Sequence, residues 1–366
     1  MDDYRYLDYS KTVRLCEEVF QKNGYSAEDA AIITDVLLES DLMGIESHGI
    51  QRLELYCSGI DMGRIFPVAK PEVVQETPVS AVVDAHESIG HLAGVFSMNL
   101  AIKKAKSTGI AVVTVRNSTH YGIAGYYAMM AAKENLLGLS MTNTEALVLP
   151  TFGKKAMMGT NPIAVAMPAK PYPFYLDMAT SVVPAGKLEI YFKEGKPVPE
   201  GYVLDAEGKT TINAGDFINI RKNKTDGGLL PLGGSGKLFG GHKGYGLSLL
   251  VELLTGILSG GITSNHVRIK FPAERCCHFF MVVDYGLFGD KEAIESHMSD
   301  YMEELRKSAK AYGQKRIYTH GEPGLEKRQS IIERGIAVNK KTYQELCAVC
   351  DKFGLDQKEY IKERSQ

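Results

Sequence analysis

Along the first 74 residues apolar side chains recur every three or four positions, a spacing that predicts amphipathic helices. Val13, Cys16, Val19 and Phe20 follow Ser10, a candidate N-cap, and the pattern stops at Gly24. Ser26 and Asp29 resemble a capping box ahead of Ala30, Ile33, Leu37 and Leu38. Gly44 interrupts, and a third helix is predicted from about Ser47 until Gly63 and Pro67 close it. From about residue 73 the period shortens. Residues 73–74, 81–83, 110–115, 139–141, 163–167, 174–177 and 279–284 read as strands. Helical patterns at 92–106, 125–136, 184–193, 244–258 and 293–308 lie among them. This alternation predicts an α/β domain, α+β-like in its layered sheet. Residues 195–242, rich in Gly, Lys, Asp and Asn, read as an excursion of loops and turns. Beyond GEPGLEKR the pattern is helical again, with Asn339 as cap and Gly354 as stop. That tail is expected to pack on the N-terminal helices. The expected organisation is a discontinuous helical domain, 1–74 plus 320–366, and an α/β domain, 75–319. No internal repeat or low-complexity tract interrupts it.

Composition narrows the partners. With 366 residues the chain suits two domains, and 44% hydrophobic with 23% charged residues is ordinary globular material. A net charge of -2 argues against nucleic acid or an anionic membrane as main partner. The most apolar helical run, 247–258, is short and carries Glu252, so no bilayer span is expected. The opening MDDYRYLDYSK is acidic and lacks an apolar stretch, so no signal or transit peptide is expected. A cytoplasmic protein with reduced thiols follows as the expectation for its six cysteines. Cys347 and Cys350 form a C-x-x-C inside a helical pattern, which favours a core-facing pair over a redox motif.

Four polar, glycine-rich segments carry the candidate chemistry: ESHGIQR, NSTHYG, GTNP with LDMATS, and GGHKGYG. In a helix from Ser47, His48, Arg52 and Tyr56 fall at i, i+4 and i+8, on one face. Imidazole moves protons near neutral pH, and guanidinium grips a carboxylate with two prongs. Together they suit a small acid whose neighbouring oxygen gains or loses a proton. An ordinary surface helix satisfies the same spacing. His120 follows a β-branched run, so it should sit at the carboxyl end of a strand, before a helix opened by Gly122 and Gly125. A turn with a satisfied histidine is the plainer alternative. Asp177 ends a strand, where a carboxylate orients a histidine or caps the next turn. Lys243 near a glycine-opened helix suits a pyrophosphate. GGSGK, residues 233–237, lacks the Ser/Thr of a P-loop, and no G-x-G-x-x-G follows a strand. No histidine or cysteine set has zinc spacing, so no catalytic metal is expected.

ESHGIQRLELY, STHYGIAGYYA, GTNPIAVAMP, FYLDMATS, GGHKGYGLSLLVELLTG and the PGLE segment, in this order over nearly the whole chain, resemble the type-2 malate/L-lactate dehydrogenase family. The resemblance implies a non-Rossmann, NAD- or NADP-dependent oxidoreductase acting on a small 2-hydroxy or 2-oxo acid. Malate with oxaloacetate comes first; lactate, sulfolactate and ureidoglycolate are the alternatives, or a non-catalytic dinucleotide-binding homologue. It further implies a homodimer with sites near the subunit interface. Carried over to matching positions, His48 (after Ser47) or His120 transfers the proton, Arg52 clamps the substrate carboxylate, and Asp177 supports His48; Tyr56, on the same predicted helix face as Arg52, is expected at the substrate with it. Thr144, Thr160, Asp177, Met178, Ala179, His242, Lys243 and Gly324-Leu325-Glu326 are expected around the cofactor, the last set departing from the commoner PGE by one inserted residue.

Overall fold

The structure is a computed structural model that describes residues 4–269 and 273–361. Strand β1 (Tyr4–Leu7) leads into helix α1 (Tyr9–Lys22) through Asp8, whose carboxylate accepts the Lys11 N–H at 3.1 Å. The expected cap, Ser10, already lies inside the helix. Helix α2 (Ala27–Leu42) opens as its sequence predicts, Ser26 Oγ accepting the Asp29 N–H at 3.1 Å. Helix α3 (Leu53–Asp61) follows after an irregular segment.

Next come β2 (Glu72–Glu76), β3 (Ser80–Asp84), α4 (Gly90–Thr108), β4 (Ile110–Ser118), α5 (Ala124–Lys133) and β5 (Leu137–Thr142). Strands β6 (Ile163–Met167) and β7 (Phe174–Met178) precede α6 (Ala185–Lys193). The stretch expected to be loops is partly ordered: β8 (Val203–Leu204), β9 (Thr210–Thr211), α7 (Ala214–Asn223) and β10 (Gly228–Leu229). Its three strands pair in the order β10-β8-β9, and Phe217 and Ala214 pack with Val203, Leu229 and Val148 in a core of their own. Strands of two residues carry no readable period, which is why the composition alone read as loop.

Helix α8 (Gly241–Glu252) runs on into a π-helical turn, Leu253–Ile257, before strand β11 (Cys276–Val283) and helix α9 (Lys291–Lys307). The main sheet has the order β2-β3-β4-β11-β5-β6-β7. Among the described residues of this sheet only β3 and β4 pair in parallel, and its other pairings are antiparallel. This is not a doubly wound parallel sheet, in keeping with the missing dinucleotide fingerprint. Helices α4 and α5 bury Ala101, Ala105, Tyr127 and Ala131 against Val113, Val115 and Phe280.

The tail comprises α10 (Glu322–Arg334), β12 (Ile336–Asn339), α11 (Lys340–Phe353) and α12 (Gln357–Tyr360). GEPGLEKR itself forms the start of α10, with Pro323 in the first turn, where its missing N–H costs nothing. Asn339 Oδ1 accepts the Thr342 N–H at 2.9 Å, and Gly354 ends α11 at φ +65°. Strand β12 pairs antiparallel with β1, from Leu7 against Ile336 to Tyr4 against Asn339. Both ends of the chain share one core, Leu15, Phe20 and Leu37 meeting Leu346, Val349 and Cys350. Cys347 and Cys350 are free thiols on α11, Cys350 buried. Among the described residues no helix is long and apolar enough to cross a membrane.

Candidate active site

One edge of the sheet gathers the candidate residues because the registers bring their strand ends together. Ser118, closing β4, lies opposite Cys276 at the start of β11, and Met178, closing β7, lies opposite Ile163 at the start of β6. Between them β5 ends at Thr142, just before Thr144. His120, Thr144, Thr160 and Asp177 therefore emerge side by side.

The segment between α2 and α3 closes over this edge, and it is not the continuous helix that its spacing predicts. Two 3-10 turns, Glu46–His48 and Ile50–Arg52, flank a bend at Gly49 (φ −91°, ψ −143°). Asp41, near the end of α2, causes the break: its buried carboxylate accepts the Ile50 N–H at 2.7 Å, and a Cβ on Gly49 would run into it. Burial pushes this carboxyl up to about 8 against the pull of the Ile50 N–H, with Glu46 adding to the rise. His48 and Arg52 consequently reach one pocket of about 200 Å³, while Tyr56 turns away from it into the interior at 1% exposure. The expected substrate contact of Tyr56 is thus replaced by a contact to His120.

The two imidazoles stack, with ring centroids 5.4 Å apart. His48 Nδ1 lies 2.8 Å from Ser47 Oγ. His120 Nδ1 faces the Gly122 N–H at 3.3 Å and the Tyr56 hydroxyl at 2.8 Å. A backbone N–H only donates, so Nδ1 is the acceptor, Tyr56 donates to it, and the ring proton of neutral His120 sits on Nε2. Burial holds His120 well below the ordinary imidazole range, helped by His48 and Arg52. Burial and then Arg52 bring His48 down to about 4. Behind them His91, fully buried, meets the Tyr56 ring edge-on at 4.8 Å.

Asp177 does not support His48 as the family roles suggest. Among the described residues its hydrogen-bond partner is the Gly125 N–H, at 2.8 Å, in the first turn of α5. The glycine-opened helix does hold an anion, and it is the chain's own. Burial raises this carboxyl to about 6, the Gly125 bond opposing.

Sequence reasoning missed an alternating chain of charges around the pocket. Arg52 donates from Nε to the Ser47 carbonyl at 2.6 Å and pairs through Nη2 with Glu189 at 3.1 Å. Glu189 accepts from Arg221 at 2.5 Å, and Arg221 donates to Glu145 at 2.6 Å. Arg268 bridges Glu145 and Glu274, and Glu274 accepts the His120 N–H at 2.8 Å. Three guanidinium groups and three carboxylates leave this inner ring neutral.

Thr144, Thr160, Asp177, Met178 and Ala179 all line the pocket. His242 and Lys243 do not; they are exposed in the first turn of α8. Gly324-Leu325-Glu326 lie outside it as well, in the first turns of α10, where Glu326 pairs with Arg316 at 2.6 Å. The tail segment that touches the site's strand comes earlier: the His320 carbonyl accepts the Tyr175 N–H at 3.2 Å. Gly321, at φ +90°, packs so close to Tyr175 that an added Cβ would sit 2.5 Å from it.

Comparison with known proteins identifies the family. A family model described as malate/L-lactate dehydrogenase matches residues 7–347. A malate dehydrogenase of Pyrococcus horikoshii is 47% identical, over 92% of this chain and 92% of the relative. An L-sulfolactate dehydrogenase of Methanocaldococcus jannaschii is 35% identical over 95% of this chain and 97% of its own. The crystal structure of malate dehydrogenase from Entamoeba histolytica superposes with a TM-score of 0.93 at 34% identity, covering 96% of this chain and 99% of that one. The chain belongs to the malate/L-lactate dehydrogenase family, NAD(P)-dependent oxidoreductases of small 2-hydroxy acids.

Proposed function

We propose that this protein interconverts malate and oxaloacetate, with Arg52 holding a substrate carboxylate, His48 moving the proton and His120 donating a hydrogen bond to the reacting oxygen. The observation that carries this reading is the pair of stacked imidazoles opening, with Arg52, into one pocket. The pocket fits a nicotinamide ring beside an acid. Leu147, Pro162, Met178 and Val267 offer apolar surface to a flat ring, and Thr144, Thr160 and Asp177 offer polar groups to its amide. Those residues with Ala179 would hold the dinucleotide, which when bound exchanges a hydride with the substrate carbon.

The two histidines divide the work by their hydrogen bonds. With two donors against Nδ1, His120 stays neutral and presents Nε2–H to the oxygen, stabilising charge as it develops. His48 is free to carry a second proton, because Ser47 Oγ accepts as readily as it donates. A substrate carboxylate on Arg52 offsets the neighbouring cation and so restores basicity to His48. His48 then takes the hydroxyl proton in oxidation and returns it in reduction.

The same reading extends to architecture. The described ends of the chain, residues 4–71 and 320–361, form one largely helical unit, and the described residues between them, from β2 onward, the sheet unit that holds the cofactor. A second copy covers the exposed apolar strip of α8 and the turn after it, where Leu249, Leu253 and Ile257 are 53%, 48% and 57% exposed. Sedimentation as a monomer at micromolar concentration would refute that dimer. For the chemistry, absorbance at 340 nm is followed with NADH or NADPH and a panel of 2-oxo acids. Oxaloacetate should be reduced fastest, and His48→Ala should lower kcat by about 10²-fold or more. Near-normal turnover in that variant would move the proton transfer to His120.

A further inference from the structure

The pocket opens outward into a second recess of different chemistry. Glu145, Glu189, Arg221 and Arg268 line both. The recess adds Arg64, Lys193, Lys222, Lys224 and Lys341. These come from four places distant in sequence: the link after α3, the end of α6, the end of α7 and the start of α11. Counting the shared pair, seven cations face two carboxylates, in a chain whose net charge is -2. The excess positive charge therefore lies at the mouth, since the ring inside is neutral. Two of the added cations have a partner: Lys193 lies 3.5 Å from Glu345, and Lys224 donates to the Arg268 carbonyl at 2.9 Å. Arg64, Lys222 and Lys341 have no ion pair among the described residues, and both lysines are exposed.

We infer that this recess is an electropositive vestibule that draws doubly charged small acids toward Arg52, and so favours 2-oxo acids bearing a second acidic group. The inference rests on the proposed dehydrogenase chemistry for its substrate, though not for its binding. Cations lining a concave surface focus their field and raise the local concentration of anions, and the interaction energy is linear in ligand charge. A monoanion gains half the energy of a dianion, so its enrichment is the square root of the dianion's. Phosphate groups of the dinucleotide share this chemistry. The position favours the substrate: the recess meets the pocket at Glu189, the partner of Arg52, and none of Thr160, Asp177, Met178 and Ala179 lines it.

The test is the triple variant Arg64→Gln, Lys222→Gln and Lys341→Gln, compared with the parent protein at low and high salt. At low ionic strength kcat/KM for oxaloacetate should fall about 10-fold and that for pyruvate about threefold, through KM rather than kcat. Both losses should vanish near 0.5 M salt, where screening shortens to a few ångströms. Calorimetric titration with malonate and acetate reads the same preference without turnover, the variant losing about tenfold in malonate affinity and about threefold in acetate affinity. If the parent reduces no 2-oxo acid, the dehydrogenase reading falls while the malonate titration still decides the recess. Equal losses for dianion and monoanion, or no change in either, overturn the inference. A rise confined to the KM of the dinucleotide assigns the recess to cofactor phosphates and equally overturns it. Should the triple variant unfold at a lower temperature than the parent, Lys222→Gln with Lys341→Gln is read instead, on two exposed side chains.

Discussion

Replacing Asp41 by Asn asks how the segment bearing His48 is held, and the structure supplies the size of the answer. Asp41 Oδ2 takes the Ile50 N–H across the break at Gly49, so one buried carboxylate shapes the chain on both sides of it. Burial lifts this group from 3.8 to about 8. The folded protein thus keeps a proton that the unfolded chain releases above about pH 4. With the folded value raised, the sign is settled: stability is complete below the unfolded value and drains away as pH rises toward the folded one. Each pH unit in that window costs about 1.4 kcal/mol, or roughly 6 kcal/mol across it. Asn carries no charge and keeps an acceptor for Ile50, but its amide brings donors into a buried site where the carboxylate now only accepts, at about 2 kcal/mol.

The variant is therefore expected to be less stable than the parent near pH 4, equal to it between pH 5 and 6, and more stable by roughly 3 kcal/mol at pH 8. Urea midpoints of both proteins from pH 4 to 9 provide the measurement. Groups common to both, such as Asp177 and the buried histidines, cancel in the difference. A difference that stays flat across the range would show that Asp41 is not the group whose ionisation the fold opposes. Turnover at pH 7 should change less than about threefold, because the Ile50 bond persists.

Two further substitutions probe the pocket itself. Tyr56→Phe removes the stronger of the two donors to His120 Nδ1 and should lower kcat about tenfold with little change in KM. Nitrogen NMR of labelled histidine should show His120 as the Nε2–H form in the parent and a mixture in the variant; the same single form in both would dismiss Tyr56 as its orienting group. Arg52→Lys should raise KM for the 2-oxo acid about tenfold while kcat moves less, since a point charge cannot form the two-pronged contact. An unchanged KM there removes the carboxylate clamp.

What the sequence disclosed and what it withheld divide along a physical line. Properties set within one element were legible: the bounds of β6, the Asn339 cap, the Gly354 stop, and His120 just beyond a strand end. Properties that need a distant partner were not. The helix expected from Ser47 fails because of a carboxylate earlier in the chain, and nothing in the spacing of His48, Arg52 and Tyr56 reports it. Strands β1 and β12 are each four residues long and exist only because they meet across the whole chain. The charged ring was hidden for a subtler reason. Glu189 and Arg221 sit on the polar faces of α6 and α7, and a polar face turned toward a charged pocket has the same periodicity as one turned toward water. Residue types and their order therefore pointed to the chemistry, while the pairing that gives each group its charge state is a tertiary property. Arg52 illustrates the difference: read alone it is a free clamp, yet in the fold Glu189 already occupies one of its prongs. A substrate carboxylate must share or displace that contact. Affinity for the acid is thus set by the competition between two carboxylates for one guanidinium, and not by the presence of Arg52 alone.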